Sequence, residues 1–163
     1  IVPRSIGALG HILQLPTQEK YLLTKPELED RIAVMLGGRG AEDLVYQGVV
    51  STGASDDLQR ASELARQMVT QFGMSEQLGN LTYGAPASQR FLGGPFLDSA
   101  RNYSERTAQQ IDDEVRRLID TAYDRVKRIL QNRRADLDRL VAELVRKETL
   151  DRNELQQVLS ART

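Results

Sequence analysis

Two adjacent carboxylates, Asp56 and Asp57, follow the turn Ser-Thr-Gly-Ala-Ser at 51–55 and precede a strongly periodic segment. This order predicts that Asp57 lies in the first turn of a helix, where backbone N–H groups lack intrahelical partners and the helix dipole favours an anion. A carboxylate held there is ionised and oriented, so it can serve as an oxygen ligand to a metal ion. The chain has one histidine, His11, and no cysteine. The other ligands of such a metal must therefore come from elsewhere.

Simpler interpretations of the same residues stay open at this point. Aspartates at a helix start, such as Asp56 and Asp57, stabilise the helix more often than they bind a metal. Glu42, taken by itself, is typical of a solvated helical charge or of an ion pair with Arg39. His11, in an alternating segment, is typical of a surface or cross-strand residue.

The bulk composition indicates a soluble globular domain. The chain has 163 residues, of which 40% are hydrophobic and 28% charged, enough for one domain with a hydrophobic core. Its 22 basic and 23 acidic residues are interleaved, so no nucleic-acid partner is expected. The longest apolar run, at 32–36, is far shorter than the ~20 residues that span a bilayer. No membrane span is therefore predicted in this chain.

The pattern of apolar residues predicts helices after a short strand. The segment 7–16 mixes glycine with apolar residues and ends at proline, which fits an edge strand that can pair with another chain. Thr24 and Glu27 form a capping box at the start of a helix. The pair Gly37 and Gly38 is predicted to interrupt this helix and to allow another backbone or helix to approach closely.

The clearest helix follows Asp57, with an apolar stripe from Leu58 to Phe72 and an end at Gly73. Glycine and proline between 73 and 103 predict a long loop. Ser104 caps a long helix, and two more follow, the last begun by a second capping box at 151–154. Their apolar stripes are predicted to be core or subunit interface. The fold class is therefore mainly α, a helical bundle with a small N-terminal β-strand element, forming one domain over residues 1–163.

Three strings occur in order along the first third of the chain. They are Ile-Val-Pro-Arg at 1–4 with Ala-Leu-Gly at 8–10, Leu-Gly-Gly-Arg-Gly-Ala-Glu-Asp at 36–43, and Ser-Thr-Gly-Ala-Ser-Asp-Asp-Leu at 51–58. Together they resemble the peptidase domain of the FtsH family, the membrane-anchored AAA zinc metalloproteases. The resemblance continues through Ala-Arg-Gln-Met-Val at 65–69, Phe-Gly-Met-Ser at 72–75, Phe-Leu-Gly at 91–93 and Lys-Glu-Thr-Leu at 147–150. It covers nearly the whole chain.

The resemblance implies a role for two acidic residues. Asp57 is the expected third zinc ligand, and Glu42 is the expected acceptor behind the metal that orients a ligand histidine. In this family the His-Glu-x-x-His helix, which holds zinc and the general base, lies upstream of the Ile-Pro-Arg strand. The chain begins at that strand. We therefore expect it to be a fragment that has no catalytic residue of its own and is inactive alone.

The resemblance also implies a substrate and partners. The family binds an extended substrate along its edge strand, which here corresponds to Ala8, Leu9, Gly10, His11, Ile12 and Leu13. The expected parent is an ATP-dependent, membrane-anchored hexamer that degrades misfolded or short-lived membrane and soluble proteins. Its peptidase domain would face the cytoplasm or an organelle matrix or stroma. No Gly-x-x-x-x-Gly-Lys-Ser/Thr loop occurs in the chain, so the ATPase module is expected outside it.

A second function remains open. A protease relative without the zinc helix would be a non-catalytic helical assembly or scaffold domain. The sequence just upstream of Ile1 distinguishes the two hypotheses, because only the protease carries His-Glu-x-x-His there.

Overall fold

The computed structural model describes residues 22–83 and 103–160, and these form a mainly helical structure. The predicted fold class is confirmed in this part of the chain, whereas the predicted strand at 7–16, with His11, lies outside the described residues. The helices of the described part are α1 Lys25–Val45, α2 Ser55–Thr70, α3 Glu105–Asn132, α4 Arg134–Lys147 and α5 Arg152–Ser160, and a 3-10 turn, Thr52–Ala54, precedes α2.

The hydrophobic core lies between α1, α2 and α3. Each of the three helices presents one apolar stripe to the other two, and removal of these side chains from water is the main stabilising term. The buried side chains that form the core within these helices are Leu28, Ile32, Leu36, Ala61, Ala65, Met68, Val69, Ile111, Leu118, Ala122 and Val126.

Three of the helix starts carry the caps that the sequence predicts. The Thr24 N–H donates to Glu27 Oε2 over 2.8 Å at the start of α1. Ser104 Oγ accepts the N–H of Thr107 over 3.2 Å at the start of α3. Asp151 and Glu154 exchange two backbone-to-carboxylate hydrogen bonds at the start of α5. Each of these caps satisfies N–H groups that the helix itself cannot.

The predicted interruption of α1 is wrong. The helix continues through Gly37 and Gly38 to Val45, and no described atom beyond the adjoining backbone of α1 lies within 4 Å of a Cβ built at either glycine. The close approach occurs instead at Gly40, where a Cβ would lie 2.7 Å from Val126 Cγ1. Gly40 is buried because it continues the four-residue ladder of Leu28, Ile32 and Leu36 on the face of α1 that packs against α3.

Alanine substitutions at these glycines are expected to have opposite effects. Gly40→Ala should lower the free energy of unfolding by about 1–2 kcal/mol, because Val126 is branched at Cβ and cannot move its methyl group away. Gly38→Ala should raise it by about 0.5–1 kcal/mol, because it removes backbone freedom from the unfolded chain and meets no neighbour. Urea titrations followed by circular dichroism measure both. A Gly40→Ala variant as stable as the parent would contradict the packing described.

Helices α4 and α5 lie outside this core. Neither contains a buried residue in the described structure, and Val141 and Val145 are largely exposed. Of the two alternatives predicted for the apolar stripe of α4, core or subunit interface, the described structure leaves only the subunit interface, which stays a prediction. A single residue, Arg133, separates α3 from α4. None of the described helices combines the length and apolar character needed to cross a membrane.

Candidate functional site

Asp57 lies where the sequence predicts it, in the first turn of α2. Both Asp56 and Asp57 are exposed. Among the described residues, the Asp57 carboxylate has no hydrogen-bond or ion-pair partner, and the N-cap of α2, Ala54, provides no side-chain cap. The carboxylate is thus held at a helix start with its oxygens open to solvent, which suits an oxygen ligand.

The turn before α2 is ordered by Ser51. Its backbone is extended, and its Oγ accepts the N–H of Gly53 over 3.1 Å. The 3-10 turn follows at once, and the buried Ala54 fixes its end against the protein. Ser55 is both the C-cap of this turn and the first residue of α2. The turn and the helix therefore form one continuous structural unit.

Glu42, in the last turns of α1, binds this unit directly. Its Oε1 accepts the hydroxyl of Ser51, and its Oε2 accepts the Ser51 N–H over 3.3 Å. The guanidinium of Arg39 lies 3.5 Å from Oε2. The hydrogen bonds from the Ser51 hydroxyl and backbone, followed by the charge of Arg39, lower the pKa of Glu42. The Ser51 hydroxyl and the Ser51 N–H thus both donate to the Glu42 carboxylate. We call these two hydrogen bonds the Glu42–Ser51 contact.

The end of α1 is in turn attached to α3. The Tyr123 hydroxyl donates to Asp43 Oδ2 over 3.0 Å. Burial, together with this hydrogen bond, raises the pKa of Tyr123. After α1 the chain reverses through Gln47 and Gly48, both at positive φ, and the Gly48 N–H donates to Asp43 O over 3.1 Å. This reversal returns the chain so that Ser51 reaches Glu42.

The structure therefore brings Glu42 together with the turn that leads to Asp57. The Glu42–Ser51 contact itself is not among the sequence predictions, although a serine two residues before a glycine is a recognisable signal of such a turn. The predicted substrate strand, Ala8 to Leu13, lies outside the described residues. Roles for Asp57 and Glu42 at a metal stay predictions.

The described residues do not form a complete zinc site by themselves. Catalytic zinc normally takes three protein ligands from His, Glu, Asp or Cys. Within residues 22–83 and 103–160, no three such side chains cluster in a way that would hold a metal. Asp57 fits the role of one oxygen ligand, since it is exposed, acidic and without a competing partner. If Asp57 binds zinc, the other ligands would come from beyond this part of the chain.

Comparison with known proteins identifies the family. The model of peptidase family M41 matches residues 1–158. The chain is 50% identical over 159 residues to the ATP-dependent zinc metalloprotease FtsH of Pseudothermotoga lettingae, covering 98% of the chain and 25% of that protein. It is 51% identical over 163 residues to FtsH of Ralstonia pickettii, covering 99% of the chain and 23% of that protein.

A third relative, FtsH of Thermotoga maritima, is 45% identical over 160 residues, covering 98% of the chain and 26% of that protein. The chain thus spans about a quarter of the length of the curated relatives it matches. A family model that matches nearly every residue, together with relatives of about half identity, leaves no ambiguity of family. The chain belongs to peptidase family M41.

Proposed function

We propose that this chain is part of an ATP-dependent zinc metalloendopeptidase of the FtsH type and supplies one zinc ligand to it. The observation that carries the proposal is the match of family M41 over residues 1–158, joined to an exposed carboxylate at the start of α2 that has no partner among the described residues. In this proposal Asp57 is the metal ligand. Two histidines of a His-Glu-x-x-His helix supply the others.

Zinc, when bound, supplies a water acidified toward a pKa of about 7, which can attack a peptide carbonyl. The residues of this chain have supporting tasks. Asp57 holds the cation with an ionised oxygen. Glu42 keeps acceptor capacity beyond its bonds to Ser51, since an ionised carboxylate has about four lone-pair sites. It can therefore also accept the N–H of a ligand histidine and orient that ring.

The proposal extends to substrate and assembly. The segment Ala8 to Leu13 binds an extended substrate through backbone hydrogen bonds, which are indifferent to side-chain identity. The substrates are misfolded or short-lived proteins of the membrane and of solution, delivered by an AAA ATPase module of the same polypeptide. The parent protein is a membrane-anchored hexamer with this domain in the cytoplasm, or in an organelle matrix or stroma. These statements rest on the likeness to the FtsH relatives.

The test is proteolysis by the full-length protein that carries this chain. It should cleave casein only with ATP present, lose the activity to a zinc chelator and recover it with added zinc. The 163-residue chain alone should leave casein intact. Cleavage by the chain alone, or chelator-resistant cleavage by the full-length protein, would contradict the proposal. A full-length protein that never cleaves would favour a non-catalytic helical scaffold.

A further inference from the structure

We propose that Ser51 is a positioning residue for Asp57. Through the Glu42–Ser51 contact it fixes the turn from which α2 begins, and so the place at which the Asp57 carboxylate is presented. The inference rests on the proposed function, because it takes Asp57 as a zinc ligand. It adds a residue that the family match and the sequence predictions leave without a role.

The first support is the number of bonds that Ser51 makes. Its hydroxyl donates to Glu42 Oε1, its N–H donates to Glu42 Oε2, and its Oγ accepts from the Gly53 N–H. A single exposed residue thus joins α1 to the turn and closes the turn upon itself. Because Glu42 is ionised, the two bonds that it accepts are stronger than neutral ones.

The second support is the way in which α2 begins. Helices α1, α3 and α5 start with Thr24, Ser104 and Asp151, each part of a side-chain cap. Helix α2 has Ala54 at this position and no side-chain cap. The side-chain cap lies instead three residues before Ala54, at Ser51, which caps the 3-10 turn that leads into α2. This arrangement leaves the nearby Asp57 carboxylate free of any capping bond.

The third support is the absence of a flexible joint between the two residues. The 3-10 turn passes directly into α2 at Ser55, and Ala54 between them is buried. Gly53 fits tightly, because a Cβ there would lie 3.2 Å from Ser51 Oγ. A change at Ser51 is thus transmitted through the turn to the first turn of α2, where small displacements of a ligand weaken metal binding.

The experiment measures zinc affinity of the full-length protein by chelator competition and amide hydrogen exchange of residues 53–57 in its metal-free form. Ser51→Ala should weaken zinc binding about 10-fold, at the low end of the ~10–100-fold typical of lost outer-shell partners. It should also speed exchange of these amides. Ser51→Thr keeps the hydroxyl and should restore both values to within about threefold of the parent.

Ser104→Ala is the matched control, because Ser104 Oγ likewise accepts a backbone N–H, here that of Thr107 at the start of α3. It should lower the melting temperature without changing zinc affinity. Ser51→Gly is the second hydroxyl-free variant. Glycine can adopt the extended backbone conformation of residue 51. This variant should therefore reproduce the loss of zinc affinity if Ser51→Ala fails to fold.

Two outcomes separate the inference from the function on which it rests. If Ser51→Ala or Ser51→Gly binds zinc within twofold of the parent while Asp57→Ala releases it, Asp57 is a ligand and the positioning role of Ser51 is overturned. The same holds if exchange rises and zinc affinity does not fall, because Ser51 is then purely structural. If Asp57→Ala retains zinc, the ligand assignment fails and the inference fails with it.

Discussion

Replacement of Asp57 by alanine is expected to weaken zinc binding by the full-length protein about 100-fold or more, above the ~10–100-fold typical of losing an outer-shell partner. In the proposed function this residue is one of only three protein ligands, so its loss removes a third of the set, and the described residues contain no cluster of three His, Cys, Asp or Glu side chains that could hold a metal. The measurement is zinc content after dialysis, followed by chelator competition on the purified protein.

Asp56→Ala is the matched control for this variant. Asp56 is adjacent to Asp57, is also exposed and lies in the same first turn of α2. Asp56→Ala therefore removes the same negative charge from the helix start as Asp57→Ala. Loss of either carboxylate should reduce stability by about 0.3–1 kcal/mol through the helix dipole. Only Asp57→Ala should release zinc. Equal zinc loss from both variants would mean that the charge of the helix start matters and not a particular ligand.

The second large effect is expected at Glu114, whose side chain is only 1% exposed. It accepts the hydroxyl of Ser75 over 2.8 Å and two N–H groups of Arg117 over 2.9 and 3.0 Å. Ser75 Oγ in turn accepts the N–H of Leu78. The bonds through Ser75 attach the turn after α2 to α3. Glu114→Ala should lower the free energy of unfolding by about 3 kcal/mol, through lost side-chain packing and an unsatisfied buried hydroxyl.

Glu143 offers a matched control for Glu114. It pairs with Arg146 at the same i,i+3 spacing, but its side chain is 35% exposed. Glu143→Ala should therefore change the free energy of unfolding by at most about 1 kcal/mol. Chemical denaturation of both variants measures the difference. Equal effects would show that the buried hydrogen bonds of Glu114 contribute nothing beyond a surface ion pair.

Glu114 also predicts a dependence on pH. The hydrogen bonds from Arg117, which outweigh the cost of burial, and that from Ser75 hold its pKa below the ordinary value of 4.5. A carboxylate with a lowered folded-state pKa stabilises the protein fully above its unfolded pKa and loses that contribution as pH falls through the folded pKa. The stability difference between the parent and Glu114→Gln should thus be constant above about pH 5.5 and shrink below pH 4.5.

Much of the fold is readable from local sequence, because caps and apolar stripes act over one or two helical turns. Thr24 with Glu27, Ser104, and Asp151 with Glu154 each mark a helix start that the structure confirms. The position of Asp57 follows from the same logic. These features need no knowledge of the rest of the chain.

The sequence prediction for α1 is wrong where the structure depends on which residue of another helix packs against a given position. Gly37 and Gly38 weaken a helix locally, yet the packing of α1 against α3 keeps the helix intact through them. Which glycine receives the neighbouring helix depends on the face it occupies. Counting in steps of four from Leu28 would have selected Gly40, because that ladder continues the buried stripe.

Side-chain contacts between residues distant in sequence could not be predicted from the sequence. Glu114 falls between Ile111 and Leu118 on the inner stripe of α3, and a charged residue within an apolar stripe is a signal of a buried, bonded carboxylate. The i,i+3 spacing to Arg117 is readable from the sequence, but the sequence does not say that Ser75, 39 residues away, is also its partner. Likewise, Ser51 lies nine positions after Glu42. The chain between them reverses direction through Gln47 and Gly48, and only that reversal shows that the two meet.

The single residue between α3 and α4 has a mechanical consequence. Helix α4 has 14 residues and extends about 21 Å at 1.5 Å per residue, so a rotation of about 20° at Arg133 displaces its far end by about 7 Å. Arg133 at the joint restrains this motion through its ion pair with Asp136, the third residue of α4, whereas the pair of Asp136 with Arg139 lies within α4. Because these ion pairs are partly exposed, added salt screens them. We therefore expect the angle between α3 and α4 to respond to ionic strength.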